Sequence, residues 1–162
     1  GLSISCGMAI KAKHDKSKYR VYCLIGDGES CEGSVWEAAM MASSYKLGNL
    51  VAVLDRNKQM MTHFTDTDNS RMHLEPYANK WESFGWYVIE IADGNDMNQI
   101  VNAIDEIKTY EGDKPVALIC NTIKGKGISF MERAIGWHSG RVSAEQAKIA
   151  YEELKNERNA IT

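Results

Sequence analysis

No run of apolar residues in this chain approaches the roughly 18 needed to cross a bilayer. No basic cluster exceeds Lys124-Gly-Lys126, and no two cysteines stand in C-x-x-C spacing. Each absence removes a class of function. The first excludes a membrane-spanning helix, so no membrane partner is expected. Lys and Arg number 19 against 22 Asp and Glu, a net charge of −3, which leaves no electrostatic footprint for a phosphate backbone, so no nucleic acid is expected either. The cysteines (Cys6, Cys23, Cys31, Cys120) lie mostly in apolar company and read as free, reduced core thiols, as expected of a cytoplasmic protein. No secretory leader pattern opens the sequence. It begins on Gly1-Leu2-Ser3 without methionine, as expected of a domain truncated at its N-terminus.

What is present is ordinary in bulk and specific in detail. At 162 residues, 44% hydrophobic and 25% charged, the chain is long enough for one globular domain with its own core, spanning 1–162. No linker, low-complexity segment or repeat divides it. Hydrophobic patterning predicts helices over Leu2–Lys13, Ser34–Tyr45, Tyr77–Phe84, Asn98–Tyr110 and Ser143 to about Arg158, with Ser34 as an N-cap. Apolar strands are predicted at Tyr19–Ile25, Leu50–Leu54, Tyr87–Ile91 and Val116–Cys120, with a loop over 59–74. Short apolar strands alternating with helices point to an α/β fold: an open, mostly parallel, doubly wound sheet whose strands are buried on both faces.

In such sheets ligands bind at the carboxyl ends of the strands. Gly26-Asp27-Gly28 follows the first strand and Asn57 the second, thirty positions later. The glycines let the backbone turn sharply against an anion, and the start of the next helix is expected to add amide donors. An Asp aimed at a diphosphate repels it unless a cation lies between. Mg²⁺ or Ca²⁺ resolves the conflict, taking oxygens from carboxylate, carboxamide, carbonyl and phosphate together. Asp27, Asn57 and the backbone carbonyl of Gln59 are the candidate protein ligands. Gly-Asp-Gly alone also reads as a plain strand-to-helix turn; the Asn after the next strand favours the clamp. The chain has no G-x-G-x-x-G fingerprint and no Walker spacing, and Asp66-Thr-Asp68-Asn lacks the glycine and terminal glutamate of a calcium loop, so it reads as a polar loop.

Beyond this clamp, GLSISCGMA, GDGESCEGSVWEAAM, YKLGNLVAVLDRN, KWESFGWYVIEI, TIKGKGISFME and WHSG together resemble the diphosphate-binding domain of transketolases, over almost all of residues 1 to 140. The late Trp137-His138-Ser139-Gly140 departs from the family's usual WHG. The resemblance implies the thiamine diphosphate-binding fold and thiamine diphosphate with Mg²⁺, Ca²⁺ being the alternative ion. It places Gly26, Asp27, Gly28, Glu29, Asn57, Met61, Lys124 and His138 at the cofactor. It gives His138 a proton-transfer role and puts Glu32 and Glu37 in an acidic network at the dimer interface. Glu37, beside Trp36, Ala38 and Ala39, is expected to be buried. His14, His63 and His73 are expected in loops.

The implied activity is transfer of a two-carbon ketol unit from a ketose phosphate, or a sulfo-sugar, to an aldose phosphate. The glutamate that activates the cofactor belongs to a pyrimidine-binding domain outside this chain. The chain is therefore expected to be one subunit of a split enzyme, inactive alone and forming an α2β2 heterotetramer with a separate pyrimidine-domain subunit. The polar end EELKNERNAIT has no linker character, which favours that form. Alternatives are half of another thiamine diphosphate enzyme (a 2-oxo acid dehydrogenase α subunit or a deoxyxylulose phosphate synthase) and a non-catalytic scaffold subunit.

Overall fold

A computed structural model describes residues 1–161. Four strands, β1 (Val21–Gly26), β2 (Leu50–Arg56), β3 (Tyr87–Ile91) and β4 (Val116–Asn121), form a sheet in the order β1-β2-β4-β3. Every pairing is parallel. The register sets Gly26 opposite Asp55 and Arg56 opposite Asn121, so all carboxyl ends open on one edge.

Helices α1 (Leu2–His14), α2 (Gly33–Ser44) and α3 (Tyr77–Ser83) cover one face. The first two bury small residues at helical spacing: Ser5, Cys6, Ala9 and Ala12 on α1, and Ala38, Ala39 and Ala42 on α2. Small side chains let the helix backbones approach closely. Trp36, Tyr77, Trp81, Phe84 and Trp86 fill the wider gap beside α3, with ring centroids 4.8–6.5 Å apart. Gly85 closes α3 in the left-handed region at φ +86. The Trp86 amide returns to the Trp81 carbonyl, satisfying a carbonyl that the helix end leaves open.

The second face carries α4 (Met97–Thr109), capped by the Asp96 side chain accepting from the Asn98 amide at 2.9 Å. Its Ala103 and Ile107 pack on β3, β4 and Val51. The cover ends there. On β1, burial alternates, and Leu24 is 71% exposed. Two-sided burial, as the sequence led us to expect, therefore holds for the central strands β2 and β4 but not for the edges: β1 is open on one face, and β3 is mostly half-buried with Glu90 exposed. An 18-residue helix, α5 (Ala144–Ile161), ends the described chain. Ser143 precedes it, its hydroxyl accepting from the Gln146 amide. The side chains of the polar end past Asn156 lie outside the described residues.

Three local expectations are corrected. Ser34 is not the N-cap of α2; Glu32 holds that position with extended backbone and no side-chain cap bond. A one-turn 3-10 helix over Glu29–Cys31 stands between the Gly-Asp-Gly turn and α2, so the amides nearest the turn belong to it and not to α2. His14 lies in the last turn of α1 instead of a loop. The cysteines are free as expected, with Cys6, Cys23 and Cys120 buried.

Candidate cofactor and metal site

The turn after β1 and the end of β2 meet at the open edge. Asp27 is 1% exposed. Its Oδ2 accepts from the Lys58 backbone amide and forms an ion pair with Arg56 Nη1 at 3.1 Å. One residue further along, the Gln59 amide donates to Asn57 Oδ1 at 2.9 Å. Two consecutive N–H groups thus hold the two predicted oxygen donors side by side. Gly28 packs against the same segment, since a Cβ there meets the Met60 Cα at 3.8 Å. The structure therefore brings Asp27, Gly28, Asn57 and Gln59 together.

Two buried oxygens here have no hydrogen-bond partner among the described residues, Asp27 Oδ1 and the Gln59 side-chain Oε1. A buried carboxylate oxygen without a partner is costly, and burial pushes the Asp27 carboxyl up to about 6 against the pull of Arg56. A divalent cation satisfies that oxygen directly. The donor set (carboxylate, carboxamide and backbone carbonyl, all hard oxygens) suits Mg²⁺ or Ca²⁺. The residues present fit such an ion.

Asn57 is oriented from the opposite face of the sheet. Its Nδ2 donates to Asp55 Oδ2 at 2.9 Å, and Asp55 Oδ1 accepts from the Thr122 hydroxyl just after β4. Gly94 lies against this chain, where a Cβ falls 2.7 Å from Thr122 Cγ2 and 2.8 Å from Cys120 Cβ. Two residues beyond Thr122, Lys124 donates to His138 Nδ1 at 2.8 Å. An accepting Nδ1 on a neutral imidazole puts the proton on Nε2, which His138, exposed on a 3-10 turn, can offer outward. A cleft of about 400 Å³ opens along the same edge between Asn57, Lys58, Asp93, Thr122, Lys126 and Arg133. It runs beside Asp27, not over it.

Other predicted site residues stand apart. Glu32 and Glu37 are exposed. The burial expected for Glu37 is wrong, because its sequence neighbours Trp36 and Ala38 point about 100° away around the helix. Glu29 is half-exposed, and Met61 is 65% exposed beside the Gly28 contact. His63 and His73 lie in the loop between β2 and α3, as expected.

Sequence reasoning missed an ionic cluster. Arg56, 2% exposed, reaches Asp66 Oδ2 at 2.6 Å and Glu75 Oε1 at 2.8 Å, besides Asp27. Thr65 Oγ1 accepts from it at 3.1 Å, and the Tyr77 ring lies under the guanidinium, 5.2 Å to the centroid. The Asp66 carboxyl is raised by burial but pulled down further by the Glu75 amide and Arg56, to about 2. Glu75 is likewise held below its ordinary range by Arg56 against its own desolvation. Three carboxylates share one guanidinium, which explains why Arg56 only partly relieves Asp27. A signal existed: Arg56 has the parity of Ala52 and Leu54, so an inward direction was legible, and a buried arginine demands carboxylates.

The family model "Transketolase, thiamine diphosphate binding domain" matches residues 4–159. An apulose-4-phosphate transketolase subunit of Phocaeicola vulgatus is 45% identical over 154 residues, covering 95% of this chain and 53% of that protein. A 6-deoxy-6-sulfo-D-fructose transketolase subunit of a Clostridium species is 41% identical, covering 97% and 55%. The chain thus spans about half the length of these relatives. Among solved structures, the transketolase of Campylobacter jejuni superposes with a TM-score of 0.82 at 26% identity, over 96% of this chain and 24% of that one.

Proposed function

We propose a function from one established premise: this chain belongs to the transketolase family, through its thiamine diphosphate-binding domain. On this reading residues 1–162 act as a single domain that holds the diphosphate end of the cofactor and a Mg²⁺ ion. Asp27, Asn57 and the Gln59 carbonyl are the metal ligands, with Gly26, Gly28 and Glu29 lining the diphosphate. The observation that carries the proposal is the buried Asp27 Oδ1, unpartnered among the described residues, on a side chain held beside Asn57 by the successive Lys58 and Gln59 amides at adjoining strand ends.

Bound there, thiamine diphosphate supplies the carbanion chemistry of ketol transfer. The chain's own residues orient and exchange protons. Lys124 holds His138 by Nδ1, leaving Nε2 to serve substrate hydroxyls, a task suited to imidazole near neutral pH. Met61, exposed beside the turn, offers an apolar surface to the thiazolium. Glu32 and Glu37, both exposed, are free to meet carboxylates or waters of a partner chain.

That partner, in this proposal, is a separate pyrimidine-domain subunit, the two forming an α2β2 heterotetramer in the cytoplasm. Two relatives named as subunits of transketolases support it. Substrates are sugar phosphates, either of the pentose phosphate pathway or of a specialised ketose such as a branched or sulfonated one. Reconstitution with a pyrimidine-domain subunit, followed by assay across ketose phosphates and a sulfo-ketose, tests the activity. Fructose 6-phosphate turning over as well as any specialised ketose removes the specialised reading. Cofactor affinity unchanged by Asp27→Ala removes the site assignment itself.

A further inference from the structure

Arg56 is not among the groups that hold the cofactor, yet it touches the proposed metal ligand. Alternation along β2 sends it to the face of Ala52 and Leu54, beneath the end of β1. There Nη1 lies 3.1 Å from Asp27 Oδ2, the oxygen that also accepts the Lys58 amide. Asp27 therefore has one oxygen occupied by an amide donor and a guanidinium ion pair, and one buried oxygen with no partner among the described residues. Asp66 and Glu75 fix Nη2, and the Tyr77 ring backs the plane. The guanidinium cannot swing off Oδ2 without breaking two further ion pairs.

Resting on the reading of Asp27 as a metal ligand, we propose that Arg56 is a positioning residue that selects the cation. By occupying Oδ2 it leaves Asp27 a single oxygen to give. Mg²⁺ accepts a compact octahedron of single oxygens, whereas Ca²⁺ fills a larger, looser shell and readily takes carboxylates through both oxygens. A one-oxygen Asp27 therefore favours Mg²⁺ over Ca²⁺.

The test is metal titration of the assembled enzyme containing this chain, with thiamine diphosphate saturating. Calorimetry and tryptophan fluorescence give Mg²⁺ and Ca²⁺ dissociation constants. Arg56→Lys, whose ammonium cannot keep the same fork of contacts, is expected to move the Mg²⁺-to-Ca²⁺ affinity ratio toward Ca²⁺ by about tenfold, the scale of lost outer-shell ligand support. Arg56→Met with Asp66→Asn, which leaves fewer unpaired carboxylates if the lysine variant folds poorly, moves it the same way. Glu75→Gln, whose amide oxygen still accepts from Nη2 while Asp66 keeps its ion pair, leaves the guanidinium on Asp27 and does not move it. Equal weakening of both ions by the Arg56 variants, or an unchanged ratio, overturns the proposal and assigns Arg56 to structure alone. Asp27→Asn separates the two readings. Loss of both ions in that variant, with an unmoved ratio in the Arg56 variants, refutes only the selection. Retention of both ions refutes the metal site as well.

Discussion

Replacing Asp66 by asparagine isolates the electrostatic part of the Arg56 cluster. Asp66 stands at φ +62, a left-handed conformation that asparagine tolerates as well as aspartate. The amide oxygen can still accept from the Leu74 and Glu75 backbone, as the carboxylate does at 2.6 and 2.9 Å. What is lost is the charge facing Arg56. A carboxyl held at about 2 instead of 3.8 corresponds to about 2.4 kcal/mol of preference for the ionised form. The Asp66 side chain is itself 7% exposed but shares Arg56 with Asp27 and Glu75, so we take roughly half of that, ~1 kcal/mol.

The sign of the pH dependence follows. A carboxyl lowered on folding contributes its full stability above its unfolded value and loses it as pH falls through the folded one. The gap between the two proteins is therefore constant above about pH 4 and closes from there toward about pH 2. Urea denaturation of both proteins at about pH 7, 5 and 3 measures it. We expect ~1 kcal/mol at the two higher values, equivalent to about 2–4 °C in thermal midpoint for a chain of this size, and a clearly smaller gap at the lowest. A gap that does not narrow on acidification, or no gap at neutral pH, refutes the assignment of Asp66 as an ionic partner of Arg56.

Three further outcomes are expected. Asp27→Asn leaves the thermal midpoint at neutral pH equal or higher, because a carboxyl raised to about 6 costs stability once pH rises through that value. The same variant loses the rise in midpoint that Mg²⁺ and thiamine diphosphate give the unsubstituted protein; a rise that persists shows that Asp27 holds no metal. Thr122→Val removes the hydroxyl on Asp55 and weakens cofactor affinity by about tenfold in calorimetry, with Thr122→Ser restoring it; equal affinity in all three proteins disconnects Thr122 from the clamp. Gly85→Ala forces a side chain into φ +86, with Cβ 2.3 Å from Ser43 Oγ, and costs about 2 kcal/mol in urea denaturation. Ser43→Gly recovers the steric share of that loss but not the backbone strain.

The sheet, its helices and the Asp27–Asn57 pairing were legible because each rests on local pattern: short continuous apolar runs, helical periodicity, and polar residues placed directly after strands. The Arg56 cluster was not. Asp66 and Glu75 reach the guanidinium only because the segment after β2 folds back, and nothing in Asp66-Thr-Asp68-Asn announces its partner. Glu37 failed for the opposite reason, since adjacency in sequence was taken for adjacency in space. The open side of β1 shows a further limit. Leu24 is as apolar as any core residue and Tyr22 carries a large apolar ring, but α4 covers β3 and β4 and stops short of them. Composition states that a residue can be buried; which neighbour arrives to bury it is decided elsewhere in the chain.

The end of β2 serves two networks at once, Arg56 turning toward the ionic cluster and Asp27 on one face while Asp55 turns toward Thr122 and Asn57 on the other. This makes the segment tolerant of one kind of evolutionary change and closed to another. Loop positions away from Asp66 and Glu75 are the ones left free to vary, because those two carboxylates must still reach Arg56. A single inserted or deleted residue within β2 would exchange the two faces, turning the arginine away from its carboxylates and toward Thr122. Lineages that diverge in what they act on are therefore expected to keep the strand's length fixed while the loops around it drift.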